Sequence, residues 1–457
     1  MPRLVVVGGN AAGLAAAAKA KRKRSDLEII VLEQGEHASF SSCGIPHMVA
    51  GDIRAPDALL VLDEAQMQER GLDVRLRTKA VAFNPYTKAV AFDGPGGRDE
   101  MTYDKLLLAT GTRPRNPFPG GELEGVHALR HHDDGVRLMR DLQARKTKRA
   151  VVVGAGYVGL EMAEGLHRHG AEVHMVTRGE RVLSDFDAEL TEGLPDYLAE
   201  HGVKVHTGVP EVSFEAAASG GGKRLGTVHA HKALKADIAV VAVGLQPNTE
   251  MAVKAGVAAT REGYILVDDN MRTNYHDVWA AGDCVAPRHL LTGRPTPIPL
   301  GLPSNRMGRV AGDAIAASLE KFPVPASSFP GVIGTVATRA FGLCFAKTGL
   351  TEADAKEERL DVETSLIEAK ASAGYMPGAG DVAVKMVADR DTQKLLGCQL
   401  IGPEESALRI DAAAIAVQTG VKVGKLADIE MAYSPKMSPV WDPLLVCAGD
   451  LAKKLRK

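Results

Sequence analysis

The stretch Ala150-Val151-Val152-Val153-Gly154-Ala155-Gly156-Tyr157-Val158-Gly159 decides the fold. Four apolar residues, three of them β-branched, predict a short strand, and a helix follows to about His169. Glu172–Val176 is the next strand. Between the first strand and the helix stands a complete G-x-G-x-x-G. Gly154 makes the tight turn, Gly156 lets the backbone approach a pyrophosphate, and Gly159 lets helix pack on strand. The helix N-terminus then faces the phosphates. An acid at the end of the second strand would bind a ribose 2′-hydroxyl. Here Thr177 and Arg178 occupy that place, with Arg181 close by. A cation suits a 2′-phosphate, which favours NADPH over NADH, although both arginines also read as ordinary surface charges.

The N-terminus opens the same way. Leu4–Val7 is a strand, Gly8-Gly9-Asn10-Ala11-Ala12-Gly13 a glycine turn, and an alanine-rich helix runs to about Arg24. Leu27–Leu32 is the next strand and ends in Glu33, twenty residues after Gly13, where a ribose-binding acid belongs. Asn10 replaces the middle glycine, beside Ala12. Ala109-Thr110-Gly111 follows the strand Lys105–Ala109, and Ala281-Gly282-Asp283 follows Asp277-Val278-Trp279-Ala280. Asp283 after its glycine turn can accept from a ribityl hydroxyl, which points this unit to a flavin dinucleotide.

Working outward, Ala236–Val243 reads as a further strand of a doubly wound sheet. The segment 216–226, with Ser219-Gly220-Gly221-Gly222, reads as a hairpin loop. A proline-rich loop, 295–303, precedes a helix from about Arg306, and the Pro/Ser stretch 322–330 marks a linker. Beyond it, 370–401 alternates like antiparallel strands and 406–418 reads as a helix. The fold class expected is α/β, with two Rossmann-like three-layer domains and a C-terminal α+β dimerisation domain. Its division is 1–115 for FAD, 116–247 for NAD(P), 248–325 for the rest of the FAD domain, and 326–457 for the interface.

Composition bounds the partners. Of 457 residues, 25% are charged, yet the formal net charge is only -2, so neither nucleic acid nor an anionic membrane is an expected partner. No run of some 18 apolar residues spans a bilayer, and the apolar run after Met1-Pro2-Arg3 is too short for a signal peptide. Five scattered cysteines suit a reducing cytoplasm, with neither a disulfide framework nor close pairs for zinc, and no metal is expected.

One of those cysteines carries the chemistry. Cys43 lies in Ser39-Phe40-Ser41-Ser42-Cys43-Gly44-Ile45-Pro46, and the next cysteine in the chain is Cys284. A redox site here has one sulfur, so its disulfide partner comes from outside. Cys43-Gly44-Ile45-Pro46 should open a helix, whose N-terminal amides favour a thiolate. Cys284, Cys344, Cys398 and Cys447 read as packed core residues.

These motifs, in this order over essentially the full length, resemble the flavin- and NAD(P)-dependent pyridine nucleotide–disulfide oxidoreductases. The Ser39–Pro46 signature is similar to their single-cysteine branch: coenzyme A-disulfide reductases, persulfide- and polysulfide-reducing relatives, and NADH oxidases and peroxidases. The resemblance implies FAD and NADPH (or NADH) as cofactors, and CoA as substrate or bound to Cys43. The oxidase and peroxidase members place a catalytic histidine in the first glycine loop, where this chain has Ala11. That leaves an NAD(P)H oxidase or peroxidase cycling a Cys43 sulfenate as the alternative, with a flavin redox sensor behind it. Tyr375, in Gly374-Tyr375-Met376-Pro377-Gly378, and Tyr433, in Met431-Ala432-Tyr433-Ser434-Pro435, match two tyrosines that the dimer partner contributes near the sulfur. Departures are Met376 in place of a second adjacent tyrosine, and His47-Met48 where aromatics are common.

The resemblance also assigns a substrate site. Lys19 and Arg22 belong to the run 19–24, which by itself reads as a solvated helix C-terminus favoured by the dipole; the resemblance places CoA phosphates beside them. Ser39 and Ser42 then lie near the pantetheine, and Arg75 and Asn305 match further CoA contacts. Tyr157 would cover the flavin when nicotinamide is absent, and Glu161 would help hold the nicotinamide. The implied cycle is a Cys43–S–S–CoA mixed disulfide, reduced through the flavin, with Tyr433 protonating the leaving thiolate and Tyr375 assisting. The partners implied are a second copy of the chain and a small thiol or disulfide. No sulfur-transfer extension is expected after Lys457.

Overall fold

In a computed structural model of the chain, residues 1–145, 147–218, 223–322 and 324–456 are described. The first sheet is parallel and ordered Val278–Ala280, Lys105–Leu108, Arg3–Val7, Glu28–Leu32, Asp73–Arg75. The inner stretches of its strands are apolar because the helices Ala11–Lys23 and Gly301–Ala317, and Phe83, Val90 and Phe92 of the antiparallel strands Lys79–Asn84 and Ala89–Gly94, share their core. Leu4, Val5, Val6 and Leu106–Leu108 are fully buried. The helix Ala11–Lys23 crosses the helix Gly301–Ala317 at close range. A Cβ on Gly308 would stand 2.2 Å from the carbonyl oxygen of Ala12, so only glycine admits this contact. The latter helix begins at Gly301, five residues earlier than the sequence suggests. Pro303 sits in its first turns, where the amide is unpaired anyway.

The second sheet repeats the plan in parallel: Val203–His206, Glu172–Val176, Arg149–Val153, Ile238–Val241, Val126–Ala128. The helix Tyr157–Arg168 connects the strands Arg149–Val153 and Glu172–Val176. Strands Ser213–Ala216 and Leu225–His229 pair antiparallel as the expected hairpin. Residues 219–222 of its loop lie outside the described residues.

The third sheet is antiparallel, in the order Val336–Ala340, Leu343–Gly349, Leu395–Pro403, Asp381–Asp389, Val362–Lys370. Helices Arg409–Thr419 and Pro443–Lys454 pack on it, burying Ile410, Leu444 and Leu451. The fold is thus two Rossmann-like units followed by an α+β unit, as the sequence predicts. Among the described residues, no helix is long and apolar enough to cross a membrane.

Candidate active site

The two glycine turns are near-copies in three dimensions. Gly8 has φ +111° and a Cβ there would lie 2.2 Å from the Ala109 carbonyl oxygen; Gly154 has φ +114° and the same 2.2 Å approach to Ala242. Cβ atoms on Gly13 and Gly159 would fall 1.9 and 2.1 Å from the oxygens of Gly8 and Gly154. Side chains are excluded at all four positions by sterics, while Gly156 faces open space. That is the arrangement a pyrophosphate needs.

The first turn opens into a cleft of about 590 Å³ lined by Gly8, Asn10, Glu33, Phe40, Thr110, Gly111 and Arg130, among others. The buried Glu33 carboxylate accepts from the amides of Gly9 at 2.7 Å and Gly35 at 2.8 Å. It thereby fixes the glycine loop and keeps lone pairs for a ribose hydroxyl. The hydroxyls of Thr110 and Thr112 are buried without a partner, and such orphans signal a missing group. Asp283 accepts from Ser304 and pairs with Arg130. Ala12 is buried, its Cβ 2.7 Å from where a Gly282 Cβ would stand, which packs the first glycine turn against the turn before Asp283. The donor set fits a flavin dinucleotide. Arg130 escaped the sequence reading because 153 positions separate it from Asp283; its only signal was a basic run, Arg130-His131-His132, after a strand.

At the second turn the predicted residues separate. Arg178 is exposed beside Thr177. Arg181 is turned inward, donating to the Phe186 carbonyl at 3.2 Å and the Thr191 hydroxyl at 2.9 Å. Its Nη1 serves the loop, which leaves Arg178 the more exposed of the two arginines expected to meet a 2′-phosphate. The Tyr157 hydroxyl donates to Asp185 at 2.8 Å and its ring meets Phe186 edge-on. Burial, then the Asp185 charge, raise this phenol far above its ordinary range. Glu161 accepts from Thr338 of the third unit. Burial raises its carboxyl, only partly opposed by that bond.

Cys43 is exposed, whereas the other four cysteines are buried. Burial pushes the Cys344 thiol up to about 11 and Cys447 to about 12, and raises Cys284 and Cys398 as well. Those four are poor nucleophiles. Cys43 stands in a short 3-10 turn, Ser42–Gly44, that leads into the five-residue helix Ile45–Val49. Ser39 is buried with φ 55°, and its amide bonds Gly9 at 2.9 Å, so the cysteine loop is tied directly to the first glycine turn. A Cβ on Gly44 would meet Leu59 at 2.3 Å. His47 bonds Asp52 at 3.4 Å, and Asp52 also meets Arg168 of the second unit at 2.9 Å and Arg339 of the third at 3.3 Å. The three units therefore converge behind Cys43.

Tyr375 and Tyr433, 58 positions apart, meet with their hydroxyls 3.3 Å from each other. They remain 74% and 48% exposed within one chain. The bond to Tyr375 raises the Tyr433 phenol, which keeps its proton at neutral pH.

The basic run is less open than expected. Lys19 and Lys23 both pair with the buried Asp313, at 3.5 and 3.3 Å. Lys21 donates to the Leu27 carbonyl and Arg24 pairs with Asp26. Arg22 stays exposed. Arg75 pairs with its neighbour Asp73 at 2.9 Å, and Asn305 is exposed on the helix Gly301–Ala317. Lys19 and Arg75 thus have intramolecular partners that a phosphate would have to share.

Residues 2–303 match the profile described as pyridine nucleotide-disulphide oxidoreductase, and 338–443 match its dimerisation domain. A protein of Pyrococcus horikoshii named NAD(P)H coenzyme A polysulfide/persulfide reductase is 35% identical over 450 residues, 98% of this chain and 97% of that one. One of Methanocaldococcus jannaschii named NADH oxidase is 33% identical over 458 residues, 99% of each. The solved structure of a NAD-dependent persulfide reductase from A. fulgidus superposes with TM-score 0.93 at 34% identity, covering 99% of this chain and 83% of that one.

Proposed function

The chain belongs to the pyridine nucleotide-disulphide oxidoreductase family, and we propose that it uses NAD(P)H and FAD to reduce CoA disulfide, CoA persulfide or polysulfide at Cys43. The observation that carries this reading is that Cys43 alone among the five cysteines is exposed. No second sulfur of the chain can close a disulfide with it, so the partner sulfur belongs to a small molecule.

FAD, when bound, relays an electron pair from the nicotinamide to the sulfur site. Gly8, Asn10, Ala12, Gly13, Glu33, Thr110, Gly111 and Asp283 are the residues that would hold it, and Gly154, Gly156, Tyr157, Gly159, Glu161 and Arg178 those for the nicotinamide cofactor. This follows the division 1–115 with 248–325, 116–247, and 326–457. The exposed Arg178, with no carboxylate at Thr177, favours a 2′-phosphate and hence NADPH.

The Cys43 thiolate attacks one sulfur of CoA disulfide. A Cys43–S–S–CoA bond forms as the old S–S bond breaks, and one CoA thiolate leaves. Two electrons and a proton then return Cys43 to the thiolate and release CoA thiol. Tyr433 is the proton donor to a leaving thiolate, with Tyr375 bonded behind it. A phenol is a serviceable acid for a thiolate because the two groups have comparable ordinary pKa values, about 10 and 8.5. In this reading the two tyrosines serve the partner subunit's sulfur. Ser39 and Ser42 flank the pantetheine, Arg22 and Lys19 the phosphates, and Arg75 and Asn305 the remaining CoA contacts. Free buried thiols suit a reducing cytoplasm.

The M. jannaschii relative's name keeps an oxidase reading in view. Against it, Ala11 offers no imidazole in the first glycine loop, so a sulfenate cycle lacks that base. Intact mass of the as-isolated protein separates the two. The expectation is a reducible adduct with the mass of CoA that disappears in Cys43→Ser. An unmodified or sulfenic Cys43, together with Cys43-dependent oxygen uptake as fast as CoA-disulfide turnover, would sink it.

A further inference from the structure

We propose that His37 of the first unit, with His132 and Asp133 of the second, forms a divalent-cation site suited to Zn²⁺. The ligating atoms all lie within 4.8 Å of one another although His37 is almost a hundred positions from the other two. His37 Nε2 is 3.7 Å and His132 Nδ1 3.4 Å from the same Asp133 oxygen. In a tetrahedral zinc site with bonds of about 2.0–2.2 Å, ligand atoms stand roughly 3.4 Å apart. The present spacing needs only small side-chain adjustments to reach that.

The protonation logic points the same way. His132 is buried, and its Nε2 bonds the Pro56 carbonyl at 3.1 Å. A carbonyl only accepts, so Nε2 carries the hydrogen. In the neutral ring Nδ1 is then a lone pair, and it faces a carboxylate oxygen that is also an acceptor. With the ring in this form, the two acceptors converge 3.4 Å apart on a point where one cation can bind both. A backbone carbonyl that holds the outer N–H of an imidazole is also how metal-binding histidines are oriented. The His37 ring meets His132 edge-on with centroids 4.6 Å apart, which brings its Nε2 to the same oxygen. Asp133 lies in the first turn of the helix His132–Arg145. Its side chain and that of His37 are partly exposed, so an ion has a route in.

Two imidazoles and one carboxylate suit zinc or another borderline divalent ion better than calcium or magnesium. Such an ion would clip the segment ahead of Cys43 to the helix His132–Arg145 and to the Pro56–Leu59 turn. It touches neither glycine turn, so the proposal stands apart from the reading of the activity.

The test uses the flavin-loaded protein in a Cys43→Ser background, so that the exposed thiol cannot capture metal. After chelation and removal of the chelator, Zn²⁺ is titrated against a chromogenic competitor. One equivalent per chain is expected, with a rise in Tm. Affinity should fall at least about tenfold, and the Tm rise vanish, on adding His37→Ala. If that variant loses its flavin, Asp133→Asn takes its place, since its side chain is half-exposed and the change keeps its shape. Absence of stoichiometric binding, or binding unchanged in the variant that keeps its flavin, overturns the site.

Discussion

At the residue scale, identity and partner are separate facts. The run of basic residues near Lys19 and the pair Arg178 and Arg181 were legible as charge, but not as geometry. Asp313 takes Lys19 and Lys23, and Thr191 takes Arg181; both partners are distant in sequence or hidden inside a helix. Of the two arginines, Arg178 is the exposed one. A charge-assisted hydrogen bond contributes about 1.5–3 kcal/mol, which corresponds to roughly 10- to 100-fold at 1.4 kcal/mol per decade. Arg178→Ala should therefore lower kcat/KM for NADPH by that factor and leave NADH nearly unchanged. A parallel loss with both cofactors, or a wild-type preference for NADH, would show that Arg178 reads no phosphate. The Cys43 signature, Glu33 and both glycine turns were legible because local backbone sterics fix them. Arg130 and the His37 cluster were not, since only tertiary folding brings their partners near.

At the scale of elements, hydrophobic period and glycine punctuation located six of the ten strands of the two parallel sheets to within two residues, while short strands such as Val126–Ala128 and Val203–His206 went unread. The helix Gly301–Ala317 was misplaced at its start because Pro303 reads as loop when it stands in a first turn. What no pattern announces is how the third sheet is fastened to the second unit. Lys385, on the strand Asp381–Asp389, has a side chain only 2% exposed, among three carboxylates. It pairs with Asp187 at 3.1 Å, Glu352 at 2.7 Å and Glu189, while the Gln399 amide donates to Asp187 at 2.6 Å. Burial alone would raise the Asp187 carboxyl, but the Glu352 amide, Gln399 and Lys385 bring it below its ordinary value. Burial likewise pulls the Lys385 ammonium down, and the three carboxylates more than restore it. A lowered acid stabilises above its unfolded pKa of about 3.9 and a raised base below its own of about 10.4. The clamp is thus intact between these values. It is lost as pH falls through the depressed Asp187 pKa or rises through the elevated Lys385 pKa. Lys385→Met strands a buried carboxylate, and should cost about 3–5 kcal/mol at pH 7. Thermal unfolding should show a lower Tm at pH 7 and a gap to wild type that narrows in acid. An unchanged Tm at pH 7 would mean the charges are not coupled to folding.

At the scale of the whole molecule, the proposed reading completes the site with a second chain. Cys43 is exposed on the first unit, while the bonded Tyr375–Tyr433 pair points out from the third. Soon after Tyr433 in the chain, Met437, Val440 and Trp441 are each about 70% exposed, the kind of apolar exposure that a contact surface covers. With a dimerisation domain matched over 338–443, a twofold assembly would cover this face and bring each tyrosine pair to the partner's sulfur, since a twofold interface repeats every contact. Complementation decides it. Cys43→Ser and Tyr433→Phe homodimers each lack one group at both sites; the first should be inactive and the second slowed by about a hundredfold or more, as for loss of a general acid. After subunit exchange of an equal mixture, half the dimers are mixed. Each mixed dimer holds one site with both groups and one with neither. Activity should therefore recover to about a quarter of wild type if the site is built across the interface. If cysteine and tyrosine act within one chain, every site in the mixture still lacks one of them, and no recovery above the two parents will be seen.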